Sequence, residues 1–274
     1  MSGRQTGLQE PYTLRSLSSN PRGALLVRTF KLVIGKMLGR AAIVAALIAM
    51  TTAAHADDTD VRPPSKGERI VFLGDSITQA GDKGHGYVVL VRDAIKEAMP
   101  DAAVEVIGAG ISGHKVPDLE NRLDRDVIEK KPSTVVIYIG INDVWHSKRG
   151  KGTPKDVYEK GLRSLVDRIR AAGSRVILCT PSVIGEKAVG ENQFDAMLDE
   201  YSAITRSVAT DMKTGLIDLR KAFVDHLATA NADNKEKGVL TGDGVHLNAE
   251  GNRFVADRML EGLGVAPKTK SAKE

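Results

Sequence analysis

From Arg69 onward the chain alternates two kinds of apolar pattern. Short runs rich in β-branched residues occur at "RIVFLG" ending at Gly74, "AAVEVIG" ending at Gly108, "STVVIYIG" ending at Gly140, "SRVILCTP" ending at Pro181 and "GLIDL" ending at Leu219. Such near-continuous apolar runs suit parallel strands, which are covered on both faces. Between them apolar residues recur three and four positions apart: Val89, Leu90, Ala94 and Ile95; Leu119, Leu123 and Val127; Tyr158, Leu162, Leu165, Val166 and Ile169; Met197, Leu198, Tyr201, Ile204 and Val208. A last segment of this kind runs from Asn248 through Phe254, Val255 and Met259. That spacing gives each helix one apolar face. Five strands alternating with helices predict an α/β fold, a three-layer α/β/α sandwich on a five-stranded parallel sheet. No internal repeat and no second domain breaks the pattern.

Ligands of open parallel sheets sit beyond the carboxyl ends of the strands. The residues expected there are Gly74, Asp75 and Ser76, Gly108 to Gly113, Gly140 to Asp143, and Pro181. The loop "GDGVHLN" before the last helix should reach the same edge.

Charge divides the chain unevenly. Seven of the 39 basic residues but only one of the 35 acidic residues lie before Asp57, so residues 57–274 hold 32 basic against 34 acidic side chains. The alkaline balance belongs to the leader and gives no reason to expect nucleic acid as a partner. Within the leader, "GKMLGR" is basic, "AAIVAALIAM" is apolar and "AHA" at Ala54 to Ala56 is a small-x-small cleavage site, the pattern of an export signal. The apolar stretch Ala41–Met50 is far short of the ~20 residues that span a bilayer. The reading is therefore a leader at 1–56, an exported domain at 57–264 with no membrane span after cleavage, and a solvated tail at 265–274. Met37 is the alternative translation start; otherwise 1–36 form a long basic lead-in. The single cysteine, Cys179, lies in an apolar run and reads as a small buried hydrophobe.

The strand-end residues include a complete set for acyl transfer. Ser76 offers a hydroxyl, although serine at the start of a helix is also an ordinary cap. His246 offers a base able to accept a proton near neutral pH, and Asp243, three residues earlier, is spaced to orient it. Gly113 lets its N–H approach a ligand, and Asn142 carries an amide donor. His85, His114 and His226 have no such company and read as structural. There is no "GxSxG" elbow.

In "GDSIT" at 74–78, "GAGISG" at 108–113, "GIND" at 140–143 and "DGVHLN" at 243–248 the chain resembles the SGNH hydrolases, the GDSL lipase/esterase family. The resemblance implies a flavodoxin-like fold and a serine esterase. It implies Ser76 as nucleophile, Asp243 and His246 as the rest of the triad, and the N–H of Ser76, the N–H of Gly113 and the Asn142 side chain as oxyanion hole. No metal and no organic cofactor is implied. The family's second block often begins with Asn where this chain has Gly108, so that side chain's support for the neighbouring loop is missing. Two other readings use the same edge: a metal-dependent phosphoesterase built on Asp75, Asn142, Asp143, Asp243 and His246, and a non-catalytic carbohydrate-binding protein.

The substrate expected is a small-molecule or carbohydrate ester with a short acyl group, most simply acetyl. The loop "NDVWHSKRGKGTPKD" after Ile141 is polar, and its one aromatic residue, Trp145, either contacts substrate or packs the loop on the sheet. Its cations Lys148, Arg149, Lys151 and Lys155 form a solvated face that could also draw an anionic sugar such as a uronate. The oligomeric state is not written in the sequence. Intact-mass measurement of the exported protein should give a chain beginning at Asp57; a chain that keeps residues before Ala56 would refute the cleavage site.

Overall fold

The computed structural model describes residues 61–266. The expected leader and cleavage site, and the tail beyond 266, lie outside the described residues. Strands β1 (Arg69–Gly74), β2 (Glu105–Gly110), β3 (Thr134–Tyr138), β4 (Arg175–Cys179) and β5 (Gly215–Ile217) pair in parallel in the order β2-β1-β3-β4-β5. Every strand falls on one of the five apolar runs, and the three central ones are almost wholly buried.

Strands β3 and β4 end two residues before their runs do, at Tyr138 and Cys179, and two further boundaries differ for a local reason. Strand β2 continues to Gly110, because Gly108, Ala109 and Gly110 pair with Phe72, Leu73 and Gly74 of β1. Strand β5 stops at Ile217, because the Asp218 carboxylate accepts the Lys221 N–H and caps a helix, Leu219–Ala230, that the pattern did not mark.

Eight α-helices are described: α1 (Ser76–Gly81), α2 (Tyr87–Ala98), α3 (Val116–Asp126), α4 (Ile141–Trp145), α5 (Lys155–Ala171), α6 (Asp195–Asp211), α7 (Leu219–Ala230) and α8 (Ala249–Gly262). Right-handed crossovers put α2, which leads from β1 outward to β2, on one face of the sheet, and the helices that lead the other way on the opposite face. The packing follows: α2 lies on α8, α3 on α5, and α5 on α6. None of the described helices is long and apolar enough to cross a membrane.

Large aromatic side chains fill the core, and each buried tyrosine hydroxyl has a partner. Tyr87 meets Thr78 at 2.8 Å, Tyr138 donates to Ser182 at 2.8 Å and Tyr158 meets Thr205 at 2.9 Å. Without those partners each hydroxyl would cost free energy on burial. Cys179 is buried at the end of β4, and that burial pushes its thiol pKa up.

The chain leaves β1 for one edge of the sheet and later returns to place β3 on the other side of β1. In such a sheet the order reverses between these two strands, and the crevice opens at their carboxyl ends. Ser76 follows β1 and Asn142 follows β3, so both stand at that crevice. The neighbouring backbones are very close. A Cβ on Gly110 would lie 2.1 Å from Gln79 N and 2.7 Å from Asp75 O. Gly110→Ala should therefore cost about 2 kcal/mol or more through overpacking that pushes α1 away from β2, read as a lower urea midpoint. An unchanged midpoint would show that α1 can move freely.

Candidate active site

Ser76 is the first residue of α1, and the cap of that helix is its neighbour: Asp75 accepts the Ile77 N–H at 3.0 Å. The Ser76 hydroxyl is thus spared for another partner, and its Oγ lies 2.9 Å from His246 Nε2. The Nδ1 of the same ring is 2.7 Å from Asp243 Oδ2, while Asp243 Oδ1 accepts the N–H groups of Val245 at 2.9 Å and His246 at 2.7 Å. Burial would raise the Asp243 pKa, but the hydrogen bonds from the His246 ring and from these two N–H groups hold it below the ordinary carboxylate value. An ionised Asp243 fixes the proton on Nδ1 and leaves Nε2 facing Ser76. Both partners remain open to water, with side chains 37% exposed for His246 and 52% for Asp243.

The oxyanion donors expected from the sequence stand on loops that are tied together. Gly113 has φ +79°, a left-handed conformation that favours glycine, and among the described residues its N–H has no acceptor. Its loop is fixed to α1 by Ser112 N donating to Gln79 Oε1 at 3.0 Å, and to β1 by Ile111 N donating to Gly74 O at 3.2 Å. Asn142 is buried, and its Nδ2 donates to His114 O at 3.1 Å, next door to Gly113. The second hydrogen of that amide remains for a ligand.

The space that a side chain at position 108 would need is already occupied. A Cβ on Gly108 would stand 2.5 Å from the Asp82 side chain. Asp82 pairs with Arg92, whose Nε donates to Val106 O at 3.0 Å.

Two buried groups that the sequence reading did not single out as braces hold this edge. Arg122 donates to Gly74 O at 2.8 Å, Ala109 O at 2.9 Å and His114 Nδ1 at 3.1 Å, and pairs with Asp126 at 3.0 Å. It thereby ties the Ser76 turn to the Gly113 loop. The signal was present, since an arginine three residues after Leu119 falls on the apolar stripe of α3. Asp143 accepts Val116 N at 3.1 Å and anchors α3 beneath the loop. Burial pushes Asp143 up to about 6, against the hydrogen bonds it accepts. Burial likewise takes Asp75 up to about 7, the Ile77 N–H pulling it down and the Asp143 charge adding to the rise.

Trp145 packs the loop onto the core, as one of the two readings expected. Its ring lies edge-on to His246 with centroids 6.3 Å apart, and it lines a cavity of about 370 Å³ that also touches Asp243, Gly244 and Val245. Of the four loop cations, Lys148 lines this cavity, and Lys155 is turned to Glu200 at 3.3 Å. Lys187, Glu191 and Glu236 make the remaining wall mixed in sign. Among the described residues no three His, Cys, Asp or Glu side chains are grouped to hold a metal ion. His85 is exposed, and His226 packs against Phe254 with centroids 4.9 Å apart.

A family model described as the GDSL-like Lipase/Acylhydrolase family matches residues 72–254. An acetylxylan esterase of Geobacillus stearothermophilus is 33% identical over 217 residues, which cover 72% of this chain and 94% of that protein. Among solved structures, the acetyl xylan esterase AlAXEase superposes with a TM-score of 0.68 at 44% identity, covering 70% of this chain and 97% of its own. A catalytic mutant of the G. stearothermophilus acetylxylan esterase Axe2, a serine replaced by alanine, superposes with a TM-score of 0.65 at 30% identity over 74% of this chain and 96% of its own.

The buried carboxyl of Asp143 gives a test with a definite sign. Its pKa is about 6 in the fold against 3.8 in its absence, so the fold favours the neutral form; this contribution is intact below the lower value and is lost as pH rises through the higher one. Asp143→Asn keeps an oxygen for Val116 N–H but cannot ionise. Between about pH 4 and pH 7 the unfolding free energy of the variant relative to wild type should move in the variant's favour by roughly 2–3 kcal/mol. Urea titrations at both pH values measure it, and a pH-independent difference would contradict the burial argument.

Proposed function

The chain belongs to the GDSL-like lipase/acylhydrolase family and is a carboxylic ester hydrolase, and from that premise we propose that it is an exported serine esterase that removes acetyl groups from carbohydrate. The observation that carries this reading is the continuous hydrogen-bonded line from Asp243 through His246 to Ser76.

In this scheme Ser76 Oγ attacks the acetyl carbonyl carbon while His246 Nε2 takes its proton. The negative charge that develops on the carbonyl oxygen is met by the N–H groups of Ser76 and Gly113 and by Asn142 Nδ2. The imidazolium, stabilised by Asp243, then gives its proton to the sugar oxygen as the C–O bond breaks. Water, deprotonated by the same imidazole, hydrolyses the acetyl-enzyme and restores Ser76. Every step uses a protein group.

Three features support acetylated carbohydrate as the substrate. The cavity beside the triad is walled by Lys148, Lys187, Glu191, Glu236 and Asn192, groups that match a hydroxyl-rich alcohol better than a hydrocarbon chain. Its mixed charge favours a neutral sugar over the uronate that the basic loop suggested. Trp145 stands where it can contact either the acyl group or a sugar face. The relatives named acetylxylan esterases point the same way, and the leader pattern supports export.

Ser76→Ala should lower kcat on acetyl esters by about a thousandfold or more while the fold persists, because the remaining donors alone give little turnover. Activity above about a tenth of wild type would sink the nucleophile assignment. A chelator should leave the wild-type rate unchanged; a rate that collapses and returns with added metal would favour the phosphoesterase alternative. On a panel of aryl esters and acetylated xylo-oligosaccharides, kcat/KM should be higher for acetyl than for long acyl chains, and the reverse order with no sugar deacetylation would overturn the substrate reading.

A further inference from the structure

Glu186 follows β4 in the loop that leads toward α6, and it is 1% exposed. Among the described residues no cation pairs with it. Its carboxylate is satisfied instead by the limb that leads into the Asp243–His246 turn: Oε2 accepts Val239 N at 2.7 Å, and Oε1 accepts Leu240 N at 2.7 Å, Thr241 N at 2.6 Å and Thr241 Oγ1 at 2.8 Å. We propose that Glu186 is a positioning residue that sets the catalytic Asp243 and His246 in register with Ser76, an inference that rests on the triad reading above.

Part of the turn's hold comes from α8, where Asn248 N donates to Leu240 O at 3.0 Å, Asn248 Nδ2 to Val239 O at 3.2 Å and Asn252 Nδ2 to Leu247 O at 3.4 Å. Residues 239–248 contribute no strand to the sheet; the turn closes on itself through the Thr241–Leu247 bridge and through Gly242 N donating to His246 O at 2.8 Å. Those bonds define its shape but not its place. Its place comes from α8 on one side, which Asn252 ties to α2 by accepting Tyr87 N at 2.9 Å, and from the β4–α6 loop on the other. Glu186 grips the incoming limb, Gly185 N donates to Gly244 O at 2.8 Å, and Glu186 N donates to Glu236 O at 2.9 Å. Thr241 passes the grip onward, since its hydroxyl donates to Glu186 and accepts Gly244 N at 3.1 Å, one residue from Asp243.

A buried carboxylate that accepts three consecutive N–H groups is a strong and directional anchor. Replacing one oxygen by an amide nitrogen would set two N–H groups against each other. The turn would then shift by a fraction of an ångström, enough to lengthen the Ser76–His246 contact, and a misplacement of about 1 Å can cost on the order of a hundredfold in rate.

The test compares Glu186→Gln, Thr241→Val and Thr241→Ser with wild type on an acetyl ester. Functional sites are counted first by end-point labelling with a fluorophosphonate. Glu186→Gln should lower kcat per labelled site by about 10- to 100-fold with KM within about twofold. Thr241→Val should lower kcat several-fold, and Thr241→Ser, which keeps the hydroxyl, should restore it. A merely structural role would reduce the number of labelled sites and leave turnover per site at the wild-type value; that result overturns the proposal. If Glu186→Gln does not fold, the Thr241 pair decides, and equal per-site rates for valine and serine at that position likewise overturn it. Ser76→Ala runs in parallel. If it is inactive while Glu186→Gln turns over normally per site, only the positioning role fails; if it is active, the triad reading fails and takes this proposal with it.

Discussion

The contact between Ser76 Oγ and His246 Nε2 joins points 170 residues apart in the chain, and most of the site's construction serves to keep that distance at 2.9 Å. A hydrogen bond weakens steeply with misalignment, so neither end can be left to a mobile loop. The two ends are delivered by different means. Ser76 is carried by β1, whose residues Ile70 to Leu73 are fully buried, and it starts a helix packed backbone to backbone on β2. His246 arrives on a turn outside the sheet, held by the Glu186 carboxylate and by backbone N–H groups of a neighbouring loop.

Two buried charges of opposite sign divide the work. Arg122 donates to the carbonyls of Gly74 and Ala109 on the nucleophile side, and Glu186 accepts from the N–H groups of 239–241 on the histidine side. Glu186 is compensated by backbone N–H dipoles, and Arg122 by the Asp126 carboxylate together with the two carbonyls. Stranding a buried charge is costly, so each loop has a strong penalty for drifting from its charge. That penalty supplies the stiffness a turn cannot provide from its own few bonds.

What could be read in advance was what is periodic or local. The five strands, the amphipathic helices from Tyr87, Val116, Lys155, Asp195 and Ala249, and the blocks around Ser76, Gly113, Asn142 and His246 are all encoded in spacing or in adjacent residues. Helix α7 was hidden by its own first residue: Leu219 completes the apolar run "GLIDL", although Leu219, Phe223 and Leu227 carry the helical spacing and all three are buried. Glu186 has no local signal. It follows a glycine in a polar loop, and only the fold brings it beneath residues more than fifty positions away. Gly108 illustrates the same limit from the other side, because the group that fills the space beside it, Asp82, belongs to another segment.

The openness of His246 and Asp243 to solvent has a consequence for the fate of the acetyl group. A catalytic imidazole with a wet edge can activate whichever small hydroxyl compound reaches the acyl carbon. On the proposed carbohydrate reading, the polar cavity beside Trp145 can take up a sugar, which then competes with water for the acyl carbon. Partition between the two is a matter of local concentration. In dilute solution the outcome is hydrolysis; on the same reading, a hydroxyl-rich, water-poor medium favours passing the acyl group to a second hydroxyl compound.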